Sequence, residues 1–162
     1  METAVTNATV LIFLAKVGRL DLLQIYKRIL TTPDIHAEVL KKGDVLRERH
    51  DLEKFFKSKL NVETPLKKIN LDLGRGETSA LSLCIEKKIL IFLSDDKKAR
   101  KVAEILSIKA IGTVGIILEN LKQNKITKQE AKKTLQLLLQ YSYYLSADIY
   151  AKILDMIESH AS

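Results

Sequence analysis

The hydrophobic positions in the second half of the chain alternate between short apolar runs and helical stripes. Residues 89–93 are apolar throughout, which is typical of a strand covered on both faces of a parallel sheet. Residues 95–106 carry apolar side chains at helical spacing, and residues 108–111 have the pattern of another short strand. Further helices are predicted at residues 76–87, 113–124, 127–139 and 146–158. This half of the chain therefore predicts a βαβα arrangement.

The first half has weaker periodicity but clear start and stop signals. Gly18 ends a predicted helix over residues 8–17, and Thr32 and Pro33 begin another helix that extends to Gly43. Pro65 interrupts any helix in residues 60–70, so this segment is expected to be irregular. The remaining predicted elements are a strand at residues 3–6, a helix at 20–28, an extended segment at 29–31 and a charged helix at 43–59.

The order of these elements predicts the fold class. Strands that alternate with helices favour an α/β protein, a three-layer α/β/α sandwich with a small, mostly parallel central sheet. Because most of the chain reads as helix, we expect only four or five short strands. Residues 1–162 are expected to form a single domain.

Composition narrows the range of binding partners and of cellular locations. The chain has 27 Lys and Arg against 20 Asp and Glu, a net charge of +7, which favours polyanions such as RNA through counterion release. A lysine-rich surface is also found in heat-adapted proteins. The single cysteine excludes a disulfide framework. The longest apolar run, residues 10–15, is far shorter than a membrane span. With no basic leader, the chain is expected to be cytoplasmic, without a membrane partner.

Polar side chains gather where the predicted strands end or the following helices begin. Ligands of parallel sheets bind at the carboxyl ends of the strands. Carboxylates that meet there repel each other unless a hard cation such as Mg²⁺ or Mn²⁺ lies between them, and such a cation supports phosphodiester hydrolysis. The helix dipole alone also accounts for acids at helix starts. The residues are Asn7, Glu38, Glu77, Ser94, Asp95, Asp96 and Thr113.

Four segments carry a family resemblance. They are residues 5–23 (VTNATVLIFLAKVGRLDLL), 33–40 (PDIHAEVL), 71–84 (LDLGRGETSALSLC) and 91–103 (IFLSDDKKARKVA), with 111–118 (IGTVGIIL) continuing the last. In this order and spacing the chain resembles the PIN-domain nucleases, in particular the prokaryotic, VapC-like branch of toxins from toxin–antitoxin pairs. The resemblance covers nearly the whole sequence.

The resemblance implies an α/β/α sandwich that cleaves RNA with Mg²⁺ or Mn²⁺ held by a group of acids. By position, the metal ligands are Asn7, Glu38, Glu77 and Asp96, with Asp95 beside them as a further catalytic residue. The expected substrate-binding residues are the hydroxyls of Ser94 and Thr113 and the cations Arg75, Lys97 and Arg100. Arg100 has a second interpretation, an ion pair with Asp96 one turn earlier on the same helix.

Asn7 departs from the family pattern, which has an aspartate at this position. An amide keeps the shape and one acceptor oxygen of a carboxylate, but it loses the charge on which the affinity for hard cations depends. Three interpretations follow. Asn7 is an engineered inactivation of a toxic nuclease, a natural feature of a non-catalytic relative, or a tolerated change in a weakly active enzyme.

The leading hypothesis is therefore a metal-dependent endoribonuclease, the toxin of a toxin–antitoxin pair. One alternative is a non-catalytic PIN-like module that binds RNA or protein. Another is a phosphate-handling regulator resembling a receiver domain, which the absence of a lysine after residues 108–111 disfavours. The resemblance also implies a homodimer, for which residues 135–139 and 143–145 offer apolar side chains, and a small antitoxin that inserts a basic residue into the acidic cleft.

Overall fold

The central element of the fold is a parallel sheet. The structure, a computed structural model, describes residues 2–42 and 46–161, and among these five strands pair in the order β3-β2-β1-β4-β5. Val5 on the middle strand lies opposite Leu30 on one side and Phe92 on the other. The strands are β1 (Thr3–Thr6), β2 (Arg28–Thr31), β3 (Leu60–Val62), β4 (Ile91–Leu93) and β5 (Lys109–Ile111). The order reverses between β1 and β4, which is where ligands of such sheets bind.

Helices flank this sheet and complete the predicted three-layer α/β/α sandwich. They are α1 (Ala8–Lys16), α2 (Pro33–Lys42), α3 (Leu46–Ser58), α4 (Arg75–Lys87), α5 (Lys97–Ile105), α6 (Thr113–Lys122), α7 (Lys128–Gln140) and α8 (Ala147–Glu158), with a 3₁₀ helix at Leu20–Ile25. In the ranges 2–42 and 46–161, no helix has the length and apolar content needed to cross a membrane.

Local sequence signals set most helix boundaries. Thr127 and Glu130 form a capping box at the start of α7, each side chain bonding the other residue's backbone N–H. Gly18 adopts a left-handed conformation (φ 70°) after α1, as the sequence predicts. The hydroxyl of Ser146 accepts a hydrogen bond from Ile149 N at the start of α8.

The core lies on both faces of the sheet, because parallel strands are covered by helices on each side. Every residue of β4 is buried, and the completely buried side chains include Phe92, Leu11, Leu81 and Ile116. Burial of this kind stabilises the fold by roughly 1.5–3 kcal/mol for each large apolar side chain. The first residues of the predicted strand differ, since Leu90 is 66% exposed and precedes β4.

Two predicted elements differ from the structure. The helix predicted at residues 20–28 is a 3₁₀ helix that ends at Ile25, because Arg28 already belongs to β2. The segment predicted to be irregular, residues 60–70, begins with the edge strand β3. Asn61 interrupts the apolar residues of this short strand, and Asn61 and Val62 are exposed, so the segment lacks the continuous apolar run that identifies a buried strand. Residues 43–45, at the predicted junction of α2 and α3, lie outside the described residues.

Tyr26 has a buried hydroxyl that finds no hydrogen-bond partner in the described part of the chain. Burial raises the pKa of Tyr26 above its ordinary value, which keeps the hydroxyl neutral. Because an unsatisfied buried hydroxyl destabilises a protein, we expect Tyr26→Phe to leave the free energy of unfolding unchanged or raise it by about 1 kcal/mol. Urea unfolding of both chains measures the difference. A loss of stability would show that the hydroxyl is bonded in solution.

Candidate functional site

The candidate site lies at the carboxyl edge of the sheet, between β1 and β4. Asn7 directly follows β1 and Ser94 directly follows β4. Their segments are joined at this edge, since Asn7 N donates a hydrogen bond of 2.8 Å to Leu93 O. The strand order thus brings together two parts of the chain that are 87 residues apart.

Asn7 is the organising side chain of the site. It is 1% exposed, and its Oδ1 caps α1 by accepting from Ala8 N at 2.8 Å. Its Nδ2 donates to Ser94 Oγ at 3.1 Å and, more weakly, to Glu77 Oε1 at 3.5 Å. The amide oxygen therefore caps α1, while the amide nitrogen links Ser94, which follows β4, to Glu77 on α4.

Glu38 approaches the same place from α2, because Gly76 has no side chain. Gly76 is buried near the start of α4, and a Cβ there would lie 2.9 Å from Glu38 Oε2 and 4.0 Å from Asn7 Oδ1. The other oxygen of Glu38 accepts from Lys42 Nζ at 2.8 Å. Gly76 thus permits the close approach of two helices that carry acidic residues.

Asp96 is the N-cap of α5 and faces an open pocket. Its Oδ1 accepts from Ala99 N at 2.7 Å, which is a common role for aspartate at a helix start. Asp96 and Glu77 line this pocket of about 360 Å³ together with Asp72, Leu73, Gly74 and Lys98. The pocket therefore joins acids from α4 and from the start of α5.

The donor set suits a hard cation, although the acids stand apart. Asn7, Glu38, Glu77 and Asp96 supply carboxylate and amide oxygens, which Mg²⁺ and Mn²⁺ prefer. Over residues 2–42 and 46–161, no three His, Cys, Asp or Glu side chains gather closely enough to hold a metal ion. Each of the three carboxylates instead accepts from an N–H donor, supplied by Lys42, Asn7 or Ala99. The oxygen atoms of these residues suit a divalent metal ion as ligands, and the neutral Asn7 stands where a fourth carboxylate would add charge.

Asp95 points away from this group. Its Oδ1 accepts from Thr113 N at 2.8 Å and from Tyr143 Oη at 2.7 Å, and its Oδ2 accepts from Thr113 Oγ1 at 2.6 Å. Gly112 leaves room for this arrangement, since a Cβ there would lie 2.7 Å from Asp95 Oδ1. Asp95 therefore joins the start of α6 to the α7–α8 loop, and the catalytic role expected for it stays a prediction.

Tyr143 is the residue at this site that the sequence alone does not reveal. Its ring packs edge-on against Phe13, with centroids 5.0 Å apart. Burial, and then the negative charge of Asp95, raises the pKa of Tyr143 above its ordinary value. The hydroxyl consequently stays protonated and donates to Asp95. No local motif marks this tyrosine, which lies 48 residues from its partner.

The predicted substrate-binding residues occupy different surroundings. Ser94 and Thr113 are completely buried, and their hydroxyls make internal hydrogen bonds to Asn7 and Asp95, so neither hydroxyl is exposed to bind phosphate. Arg75 and Lys97 are exposed. Arg100 forms no ion pair with Asp96 in the described structure. It lies instead beside Gly112, where a Cβ would be 2.8 Å from Arg100 Nη1.

The structure thus places an acidic edge at the switch point of a parallel α/β/α sandwich. Residues 3–159 match the family model DUF3368, described as a PIN domain, so the chain belongs to the PIN-domain family. PIN domains are generally nucleases and usually use divalent metal ions. No curated protein sequence matches the chain.

A solved structure supports the fold independently. The chain is similar to a PilT N-terminus domain protein, SSO1118, from the hyperthermophilic archaeon Sulfolobus solfataricus P2. The TM-score is 0.55 at 17% sequence identity, and the match covers 74% of this chain and 93% of that one. At this identity the likeness concerns the fold alone.

Proposed function

We propose that this PIN domain is a metal-dependent endoribonuclease in which Glu38, Glu77 and Asp96 hold Mg²⁺ or Mn²⁺. The observation that carries the proposal is the approach of these three acids and Asn7 to one edge of the sheet. Gly76 admits Glu38 beside Asn7, while Glu77 and Asp96 line one pocket. The net charge of +7 favours a polyanionic substrate.

The chain's own residues would prepare the site for this chemistry. Ser94 Oγ accepts from both Asn7 Nδ2 and Asp96 N, which orients the turn after β4. Lys42 neutralises Glu38 until that carboxylate is engaged elsewhere. A divalent ion held by these acids would lower the pKa of a water and would stabilise charge on the scissile phosphate. Asn7 contributes orientation without charge, so the activity is weaker than that of a site with four acids.

The same proposal includes a role as the toxin of a toxin–antitoxin pair, with a small antitoxin and a second copy of the chain as partners. A small antitoxin would cover the acidic edge by placing a basic side chain there, since a buried cation needs a carboxylate partner. A homodimer would use apolar side chains that the C-terminal helices leave exposed. These are Leu139, Tyr144, Ile149 and Met156. Leu135 and Leu138, also expected at that surface, are buried within the chain itself.

A second function, a non-catalytic RNA-binding module, is favoured by one observation. Asn7 is neutral, and N–H donors already occupy one oxygen of each of Glu38, Glu77 and Asp96. The three carboxylates therefore have hydrogen-bond partners without any metal ion, as in a site that keeps its structure but no longer catalyses a reaction. Metal binding separates the two functions.

The test compares Glu77→Gln with Glu104→Gln. Glutamine at position 77 keeps an acceptor for Asn7 Nδ2 but removes a charged ligand. Mn²⁺ affinity, measured by calorimetry, should fall by more than about tenfold. EDTA-sensitive cleavage of single-stranded RNA should fall with it. Glu104 is exposed on α5, so the control should retain both properties.

Two results would contradict the nuclease proposal. Equal Mn²⁺ affinity in Glu77→Gln and the control would place the metal elsewhere. An unmodified chain that binds RNA but neither binds Mn²⁺ nor cleaves would support the binding module instead.

A further inference from the structure

The segment between β3 and α4, residues 63–74, lies along α4 and is here called the strap. Leu66 N donates to Glu86 Oε2 at 2.7 Å and Ile69 N donates to Ser82 Oγ at 2.9 Å. Lys68 Nζ donates to Asp34 Oδ2 on α2 at 2.7 Å. These contacts hold the strap against two helices, and its last residues form one wall of the acidic pocket.

The same pocket also carries a basic side chain. Among the described residues that line this pocket, Asp72, Glu77 and Asp96 are acidic, and Lys98 of α5 is the one cation. Lys98 Nζ lies 3.6 Å from Asp72 Oδ2. Both side chains are well exposed, so this ion pair adds little stability and exchanges readily.

Asp72 is held in an unusual backbone conformation at the mouth of the pocket. Its φ is 53°, in the left-handed region that aspartate tolerates better than most residues. Asp72 N donates to Asn70 Oδ1 at 3.4 Å. The strap thereby places a carboxylate next to Lys98, as the partner that an entering phosphate would replace.

We propose that Lys98 binds a backbone phosphate of single-stranded RNA at this mouth, with the phosphate replacing Asp72 as its partner. The inference rests on the proposed function and names the residue that takes the substrate there. A polyanion that enters a pocket lined by carboxylates needs a cation on the wall to offset the repulsion. Lys98 meets that need.

The other basic residues are placed less well for this role. Arg75 and Lys97 are exposed but do not line the pocket. Arg100 lies beside Gly112 and Asp95, and Asp95 is hydrogen-bonded to Thr113 and Tyr143. Lys101 makes a matched control, since it is exposed on the same helix and does not line the pocket.

The experiment measures RNA binding without cleavage. Fluorescence anisotropy follows a labelled oligouridylate in EDTA over a series of KCl concentrations, with the unmodified chain, Lys98→Ala, Lys101→Ala and Asp72→Asn. For Lys98→Ala we expect several-fold weaker binding. We also expect a salt dependence smaller by about 0.7 in the slope of log K against log salt, the value for one lost phosphate contact on a single strand.

Lys101→Ala should keep the slope of the unmodified chain. Asp72→Asn should bind RNA more tightly, because phosphate no longer competes with a carboxylate for Lys98. Equal losses in both lysine variants would show general attraction and overturn the proposal, as would unchanged binding in Lys98→Ala or no RNA binding at all.

Cleavage of the same RNA with Mn²⁺ by the unmodified chain tests the nuclease proposal separately. Loss of slope in Lys98→Ala without cleavage by the unmodified chain would refute the nuclease and leave the phosphate contact in place. Cleavage by the unmodified chain, together with equal RNA binding by both lysine variants, would support the nuclease proposal and refute the phosphate contact of Lys98.

Discussion

Asn7→Asp is expected to bind Mn²⁺ at least about tenfold more tightly than the unmodified chain, because hard-cation affinity rises with the charge of the ligands. The new carboxylate would keep the cap on α1, since aspartate and asparagine cap helices about equally well. Cleavage of single-stranded RNA should rise with metal affinity and disappear in EDTA. Calorimetry and a gel-based cleavage assay measure the two effects.

The same variant should be less stable when no metal is present. Asn7 Nδ2 lies 3.5 Å from Glu77 Oε1, so aspartate would place two carboxylates in contact at a buried position. Repulsion of this kind should lower the free energy of unfolding in EDTA by about 1–3 kcal/mol. Mn²⁺ should reverse the loss, because a ligand that binds the folded state stabilises it. Urea unfolding with and without Mn²⁺ provides the measurement.

Asn61→Asp is the matched control, since Asn61 is exposed on the edge strand β3. It makes the same chemical change away from the site and should alter neither metal affinity nor stability by more than about 0.5 kcal/mol. If Asn7→Asp were as stable as the control in EDTA and gained no affinity, position 7 would not be a metal ligand. A gain in both Mn²⁺ affinity and RNA cleavage would identify Asn7 as the residue that weakens the enzyme.

Asp95→Ala is expected to destabilise the fold by about 3–4 kcal/mol, the second large effect. The change removes the acceptor for Thr113 N, Thr113 Oγ1 and Tyr143 Oη together. Thr113 is completely buried, so water cannot readily replace the lost partner. Tyr143→Phe removes a single hydrogen bond to the same carboxylate and should lower the free energy of unfolding by about 1.5–3 kcal/mol.

Urea unfolding of the two single variants and the double variant tests whether these side chains act together. The double variant should lose less stability than the sum of the singles, since both changes disrupt one shared contact. Asp155→Ala, at an exposed position on α8, should change the free energy of unfolding by less than about 0.5 kcal/mol. Asp95→Ala should also keep its Mn²⁺ affinity. A loss of affinity without a loss of stability would show instead that Asp95 is a metal ligand.

Much of the site could be located from the sequence because of one rule of parallel sheets. Strand ends meet at one edge, so Asn7 and Asp96 could be placed together before any coordinates. The rule does not say which way a side chain points. Asp95 and Asp96 are adjacent and chemically identical, yet one bonds Tyr143 and the other lines the pocket. Lys97 and Lys98 differ in the same way.

The alternating elements, the helix caps and the chemistry of the strand ends follow from the amino-acid sequence alone. Those signals depend on neighbours within a turn or two, as the Thr127–Glu130 capping box shows. The tertiary structure alone decided the edge strand β3, the shortened 3₁₀ helix, the role of Tyr143 and the direction of Asp95. Each of these depends on packing against a segment distant in the chain, and no local pattern records such contacts.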